Sequence, residues 1–107
     1  MPRRPRFALT FAPEALEHLD AIERKHHRLI ERTIDEQLAY TPEKETRNRK
    51  PLEPPAPYEA TWELRFGPKN RFRVFYEVDH EEKSVWVLAI GVKEGNRLLI
   101  AGEEFEP

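Results

Sequence analysis

The sequence predicts an α+β fold in which two N-terminal helices pack on one face of a mainly antiparallel, twisted sheet. Near the N-terminus, two stretches repeat apolar residues at helical spacing, and in the second half two segments alternate apolar and polar residues and a third is apolar on both faces. The apolar face of such a sheet needs a cover, and the two helices are the available one. The chain has 107 residues, close to the usual size of one domain, so we expect a single domain over residues 1–107.

The first elements are a short strand and the two helices. Residues 7–11 alternate large apolar side chains, which predicts a strand. Pro13 suits the first turn of a helix, and apolar residues follow it at helical spacing. A second apolar stripe over residues 29–38 ends before Pro42, because the residue before proline avoids helical angles. We expect two antiparallel helices with a turn near residues 25–27, and one continuous helix is the alternative.

A proline-rich loop separates the helices from the strands. Residues 42–58 hold five of the ten prolines, which predicts a loop inside the domain. Three strands follow over residues 61–66, 71–78 and 85–92, and the last is apolar on both faces, as expected near the middle of a sheet. The short element at residues 97–101 is interpreted as a strand, with a helix as the alternative.

The ends of the chain and its composition exclude several classes of protein. Residues 1–5 are expected to form a flexible tail and residues 103–107 an acidic tail. The apolar run over residues 85–90 is too short to cross a bilayer, and no apolar stretch follows the basic N-terminus as in a signal peptide. The absence of cysteine excludes disulfides and thiolate chemistry. We therefore expect a cytoplasmic protein with no membrane contact.

The charges are unevenly distributed although the net charge is only −2. Residues 47–73 carry seven bases and three acids, whereas the flanking segments are acidic. Local fields steer a polyanion to a site more than net charge does. Alternate residues of a strand share a face, so Arg65, Arg71 and Arg73 are expected on the sheet face away from the helices. We predict that this face looks outward and carries a basic patch.

Four pieces of sequence stand in a fixed order along residues 7–101. They are the helix opening Pro13-Glu14-Ala15-Leu16-Glu17-His18-Leu19, the helix end Tyr40-Thr41-Pro42, the strands Trp62-Glu63-Leu64-Arg65 and Arg71-Phe72-Arg73-Val74-Phe75-Tyr76-Glu77-Val78-Asp79, and Val87-Leu88-Ala89-Ile90-Gly91-Val92-Lys93. Together they resemble the RelE/ParE superfamily of bacterial toxins from type II toxin–antitoxin systems. The resemblance implies a RelE-like β-α-α-β-β-β(-β) fold and a cognate antitoxin. It also implies one of two activities: ribosome-dependent cleavage of mRNA in the A site, or poisoning of DNA gyrase.

The resemblance also implies roles for three basic residues. Arg73 matches the arginine that holds the scissile phosphate in the ribonuclease branch. Arg65 matches a basic position in the first strand of the meander, and Lys93 one that assists the leaving group or the transition state. The sequence departs from the best-studied ribonuclease type at Thr61 and Glu63, where that type has lysines. It departs again near the C-terminus, where Leu99 stands in place of a tyrosine.

Further side chains are candidates for contact with nucleic acid or for proton transfer. Glu63 and Glu77 are candidate general bases. The nearby arginines favour the alternative, in which each carboxylate is an ion-pair partner. His80, in a turn, is a minor candidate base. The predicted nucleic-acid contacts are Arg47, Arg49, Lys50, Arg71 and Phe75.

The most concrete hypothesis from the sequence is a ribosome-dependent mRNA interferase with Arg73, Arg65 and Lys93 in catalytic roles. The alternatives are a ParE-like inhibitor of DNA gyrase and a catalytically silent toxin homologue that acts by binding only. The expected partners are the antitoxin, with acidic residues meeting Arg65 and Arg73, and either the ribosome and mRNA or gyrase. The spacing of the histidines at 18, 26 and 27 matches no common metal motif, so we expect neither a metal nor a small-molecule cofactor.

Overall fold

The computed structural model describes residues 5–106 and places two helices and seven strands in this part of the chain. Residues 1–4, most of the predicted flexible tail, lie outside the described residues, as does Pro107. The elements are β1 (Ala8–Phe11), α1 (Pro13–Asp20), α2 (His27–Leu38), β2 (Arg49–Pro51), β3 (Trp62–Phe66), β4 (Phe72–Asp79), β5 (Ser84–Glu94), β6 (Arg97–Ile100) and β7 (Glu103–Glu104).

The strands of residues 5–106 form one sheet in the order β2-β3-β4-β5-β6-β7. The pairs along this path are antiparallel, whereas β1 pairs in parallel with the start of β5, where Ala8 faces Ser84. β6 pairs with the other end of β5, from Gly91 onward. β1 and β6 therefore leave a gap in the middle of β5, at residues 88–90, and α1 packs there.

The face of the sheet that packs against the helices, here the first face, holds the main core. Alternate residues of β4 (Phe72, Val74 and Tyr76) lie here and are at most 1% exposed. The helices contribute Ala15, Leu19, Ile30, Ile34 and Leu38 to the same cluster. The Tyr76 hydroxyl donates a hydrogen bond to the Pro42 carbonyl at 2.6 Å, and burial raises the pKa of this phenol. The loop after α2 is thereby tied to the sheet.

The two predicted helices are confirmed, with a shorter first helix than the apolar stripe predicts. α1 ends at Asp20, and a 3-10 turn over Arg24–His26 leads into α2. Ile22 lies beyond the helix but still packs against the core. Burial of its side chain does not require helical backbone, which explains the difference. The antiparallel orientation of the helices stays a prediction. Neither helix of residues 5–106 is long and apolar enough to cross a membrane.

The proline-rich segment is more structured than the predicted loop. It contains β2, which extends the sheet beyond β3 and ends at Pro51. Residues 52–60, called the strap below, then pack on the second face of the sheet, the face away from the main core. Leu52 and Ala60 lie in one apolar cluster with Phe75 and Ala89. The prediction that the second face looks outward is therefore wrong at its centre, because the strap covers it.

The C-terminal residues also differ from the prediction. β6 is a strand, as expected. Ala101 and Gly102 have φ angles of 53° and 80°, and this turn returns the chain so that β7 pairs with β6. The turn brings Phe105 onto the apolar cluster of the second face. The predicted acidic tail thus begins as an ordered strand, because one apolar residue within it has a place to pack.

Candidate functional site

Three basic residues share the second face of the sheet. Arg65 in β3 stands opposite Arg73 in β4, and Arg73 stands opposite Gly91 in β5. Lys93 follows Gly91 on the same side, because alternate residues of a strand share a face. The fold thus brings together the residues to which the resemblance assigns phosphate chemistry.

Arg73 is held on two sides by the protein itself. Its Nε donates to the Asn70 carbonyl at 2.8 Å, and its Nη1 lies 3.4 Å from Oε2 of Glu63. The Arg73 side chain is only 14% exposed and that of Glu63 only 8%. Lys50 Nζ approaches the other carboxylate oxygen of Glu63 at 3.7 Å. Of the two roles predicted for Glu63, the geometry favours the ion-pair partner.

The other candidate base, Glu77, lies at a distance from Arg73. Both are on β4, four residues apart, which corresponds to about 13 Å along a strand. Glu77 is exposed and stands opposite Trp86. His80 is further away, in the turn after β4, and pairs with Glu43. Among residues 5–106, neither Glu77 nor His80 is within reach of a phosphate held at Arg73.

Arg65 is less restrained than Arg73. It is half-buried, and its Nη2 makes a long contact of 3.5 Å with the Arg47 carbonyl. Its Nε is buried without a hydrogen-bond partner, and Arg65 makes no ion pair within the described part of the chain. Since like charges directly opposite each other across a strand pair repel, Arg65 and Arg73 need a counter-charge, and Glu63 supplies it to Arg73 alone.

A groove with basic residues in its lining lies at the end of the sheet, at the turns that flank β4 and β5. It has a volume of about 410 Å³ and is lined by Pro68, Lys69, Arg71, Lys93, Glu94 and Gly95. The Arg71 guanidinium lies 5.2 Å from the centre of the Phe72 ring, and the Arg71 carbonyl accepts a hydrogen bond from the Lys93 amide at 2.7 Å. Lys69 was not among the predicted contacts, although its place in a turn between two strands with basic residues could have indicated it.

The basic run before β3 divides into exposed and buried members. Arg47 and Lys50 are exposed, whereas Arg49 is 6% exposed. Arg49 stands opposite Leu64, so its side chain points to the first face. There its Nη1 donates to the carbonyls of Gln37 and Thr41 at 2.6 and 2.5 Å, at the end of α2. Arg49 is therefore unavailable to nucleic acid, contrary to the prediction, because alternation within β2 turns it into the core.

Phe75 is likewise unavailable for base stacking. It shares the second face with Arg73, as predicted, but is only 2% exposed. The strap covers it from one side and Ile100 packs against it from another. Gly91 allows this packing: a Cβ there would lie 3.0 Å from Leu98 Cδ1 and 3.2 Å from Ile100 Cγ1.

His18 joins three elements and was considered in the sequence only as a metal ligand. Its Nδ1 accepts the Ile90 N–H of β5 at 3.3 Å, in the gap between β1 and β6. Its Nε2 lies 3.1 Å from the hydroxyl of Tyr58 in the strap. Burial lowers the pKa of His18, which keeps Nδ1 free to accept. The signal for this role was its position on the same helical face as Ala15 and Leu19.

The site can bind anions, but it offers little for acid–base chemistry. Cleavage of RNA by its own 2′-hydroxyl requires a base for that hydroxyl and an acid for the leaving oxygen. The carboxylate paired with Arg73 is already engaged, and residues 5–106 hold no group of three or more His, Cys, Asp or Glu placed to bind a metal ion.

Comparison with solved structures shows the fold first. The fold is similar to that of a chain in the crystal structure of the toxin–antitoxin complex RelBE2 from Mycobacterium tuberculosis, with a TM-score of 0.69. The match has 19% sequence identity and covers 87% of this chain and 98% of the other. The expected α+β fold, with two helices and a mainly antiparallel sheet, is thereby confirmed.

The family follows from the sequence itself. The model of the ParE toxin of the type II toxin–antitoxin system parDE matches residues 9–96. The chain therefore belongs to the ParE toxin family, which confirms the resemblance to type II toxins. No curated protein matches the sequence.

Proposed function

We propose that this chain is the toxin of a type II toxin–antitoxin pair and that it poisons DNA gyrase by binding, without cutting RNA. Membership of the ParE family supports the toxin role, and gyrase is the target that the resemblance implies for that branch. The observation that carries the choice of binding over cleavage is the ion pair of Arg73 with Glu63 at 3.4 Å.

The ion pair of Arg73 with Glu63 bears on mechanism because the ribonuclease branch uses the matching arginine to hold the scissile phosphate. A bidentate grip on a phosphodiester uses two N–H groups of one guanidinium edge. In this chain Nε of Arg73 is bonded to the Asn70 carbonyl and Nη1 faces Glu63. The remaining cations, Arg65, Lys69 and Lys93, suit acidic groups of a protein partner.

The proposed partner is a separately encoded antitoxin. The structural similarity to a chain of the RelBE2 complex supports it. We expect acidic residues of the antitoxin to meet Arg65, which makes no ion pair inside residues 5–106, in preference to Arg73, which is paired with Glu63. A cytoplasmic location follows from the proposed target, because gyrase acts on the chromosome.

The test is a supercoiling reaction with purified gyrase and relaxed plasmid. The wild-type protein should inhibit it, and Arg65→Ala should weaken inhibition by about tenfold, the loss typical of a central arginine contact. Arg32→Ala is the matched control, because Arg32 is an exposed arginine on α2, against the other face of the sheet. Unimpaired supercoiling at saturating wild-type protein would contradict the proposal.

Ribosome-dependent mRNA cleavage is the second candidate, and one observation favours it. Arg65, Arg73 and Lys93 share one face, as the ribonuclease branch requires. Primer extension on mRNA in a reconstituted translation reaction tests this candidate. Cuts within codons that require the ribosome and disappear in Arg73→Ala would establish an interferase. Intact mRNA would contradict it and leave gyrase inhibition.

A further inference from the structure

The carboxylate of Glu63 pairs with Arg73, the arginine to which the resemblance assigns the phosphate. Its Oε2 is 3.4 Å from Arg73 and its Oε1 is 3.7 Å from Lys50, so it lies between two cations. The side chain is 8% exposed, and Oε1 is buried without a hydrogen bond. Glu63 of β3 stands opposite Phe75 of β4, so its backbone is held in the sheet.

We propose that Glu63 is a specificity-determining residue that excludes phosphodiesters from Arg73, so that the basic face favours a protein partner over RNA. The proposal rests on the proposed function and deepens it, since it explains why a basic face on a toxin would favour a protein target over RNA.

Displacement of Glu63 by a phosphate is unfavourable for two reasons. A buried carboxylate that loses its guanidinium keeps an uncompensated charge, which is more costly than the loss of an exposed pair. Oε1 already lacks a hydrogen bond, so Lys50 alone would remain to balance the group. The arriving phosphate would also stand beside a second negative charge, which repels it.

No such carboxylate blocks Arg65 within the described residues. Arg65 stands beside Arg73 on the same face, yet no carboxylate of residues 5–106 lies within ion-pair distance of it. A flexible acidic side chain of a protein partner can approach it singly. A nucleic-acid backbone, whose phosphates follow one another closely, would engage neighbouring cations together and meet Glu63 at the next one.

The experiment is binding of a short single-stranded RNA, followed by fluorescence anisotropy at several salt concentrations. Glu63→Gln should bind at least about fivefold more tightly than wild type. The plot of log K against log salt should steepen by about 0.7, the value for one more phosphate contact on a single strand. The gain should disappear in the double variant Glu63→Gln/Arg73→Gln.

Glu77→Gln is the matched control. It removes the same charge from an exposed position on β4, away from Arg73. Equal gains in Glu63→Gln and Glu77→Gln would overturn the proposal, because net charge alone would then explain them. A gain that persists without Arg73 would overturn it as well.

A second measurement uses the wild-type protein and does not depend on whether Glu63→Gln folds. In a titration with inorganic phosphate followed by NMR, the Nε–H signal of Arg73 should stay unchanged while the amides of Lys69 and Lys93 shift. A shift of Arg73 at the same phosphate concentration would contradict the exclusion. Gyrase inhibition is measured on the same preparations. If the wild-type protein leaves gyrase active while Glu63→Gln gains RNA binding, the proposed target is rejected and the role of Glu63 is retained.

Discussion

The two faces of the sheet use the same strands but are buried in different ways. On the first face, helices cover an apolar core in which Phe72 and Val74 are at most 1% exposed. On the second face, the strap and residues of β6 cover a small apolar cluster, and beside it lie the ion pairs of Glu63 and the cations Arg65 and Lys93. The first face therefore supplies most of the stability, and the second makes a smaller apolar contribution and presents the cations of the candidate site.

The largest expected effect tests this division directly. Phe72→Ala removes a buried ring from the first face and should lower the free energy of unfolding by about 3–5 kcal/mol. Leu98→Ala removes a partly exposed side chain from the second face and should cost about 1 kcal/mol. Urea unfolding of both variants measures the difference. Similar losses would show that the second face carries as much of the stability as the first.

Two arginines of the basic run before β3 extend the comparison, because Arg49 is buried on the first face and Arg47 is exposed. Arg49→Ala leaves the carbonyls of Gln37 and Thr41 without their charged donor and should cost about 2–4 kcal/mol. Arg47→Ala, at an exposed position two residues away, should change stability by less than about 0.5 kcal/mol. Thermal and urea unfolding check both values. An unaltered Arg49→Ala protein would argue against the buried position of this guanidinium.

Gly91 tests how tightly the second face is packed. Gly91→Ala places a methyl group 3.0 Å from both Leu98 Cδ1 and the Leu99 carbonyl, and should cost about 1–3 kcal/mol. In the Leu98→Ala background the cost should be smaller, because one of the two close contacts is gone. A double-mutant cycle by urea unfolding measures this coupling. Additive costs would mean that Leu98 does not limit the space.

His18 couples the faces, and its effect depends on pH. Burial lowers its pKa in the folded protein, while Glu14 and Glu17 partly oppose the shift. The unfolded chain therefore binds the proton first as pH falls below about 6.5, and stability decreases by up to about 1.4 kcal/mol per pH unit. His18→Asn removes the titration and should flatten the dependence between pH 6.5 and 5. Parallel stability curves for wild type and variant would contradict the neutral, accepting state of His18.

Residue periodicity was sufficient to predict the first face. Phe72, Val74 and Tyr76 alternate along β4, and the amphipathic helices offer the matching cover, so the fold class followed from local pattern. Periodicity assigns a residue to a face but does not show what covers that face. Phe75 was therefore placed correctly beside Arg73 and wrongly in solvent.

The remaining differences come from segments without a pattern. β2 has three residues, two basic and one proline, so no alternation of apolar side chains distinguishes Arg49 from Arg47. The cover over Phe75 depends on where Leu52 and Ala60 return in space, which is a long-range property. The sequence accordingly placed Arg65 and Arg73 on one face, and the ion pair of Arg73 with Glu63 became visible only with side-chain distances.

The parallel pairing of β1 with β5 bears on how the toxin is made. Ala8 of β1 pairs with Ser84 of β5, which lies 76 positions later in the sequence, so β1 has no strand to pair with until that segment has been made. The β3–β4 and β4–β5 pairs need only nearby segments and form from local contacts, whereas closure of so long a loop comes late. Because β5 supplies the partner strands of β1, β4 and β6, the sheet closes only after residues 84–94 have been made. Products that stop short of residue 84 lack this central strand, so we expect proteases to remove them, and the face that carries Arg65 and Arg73 forms only in chains that include β5.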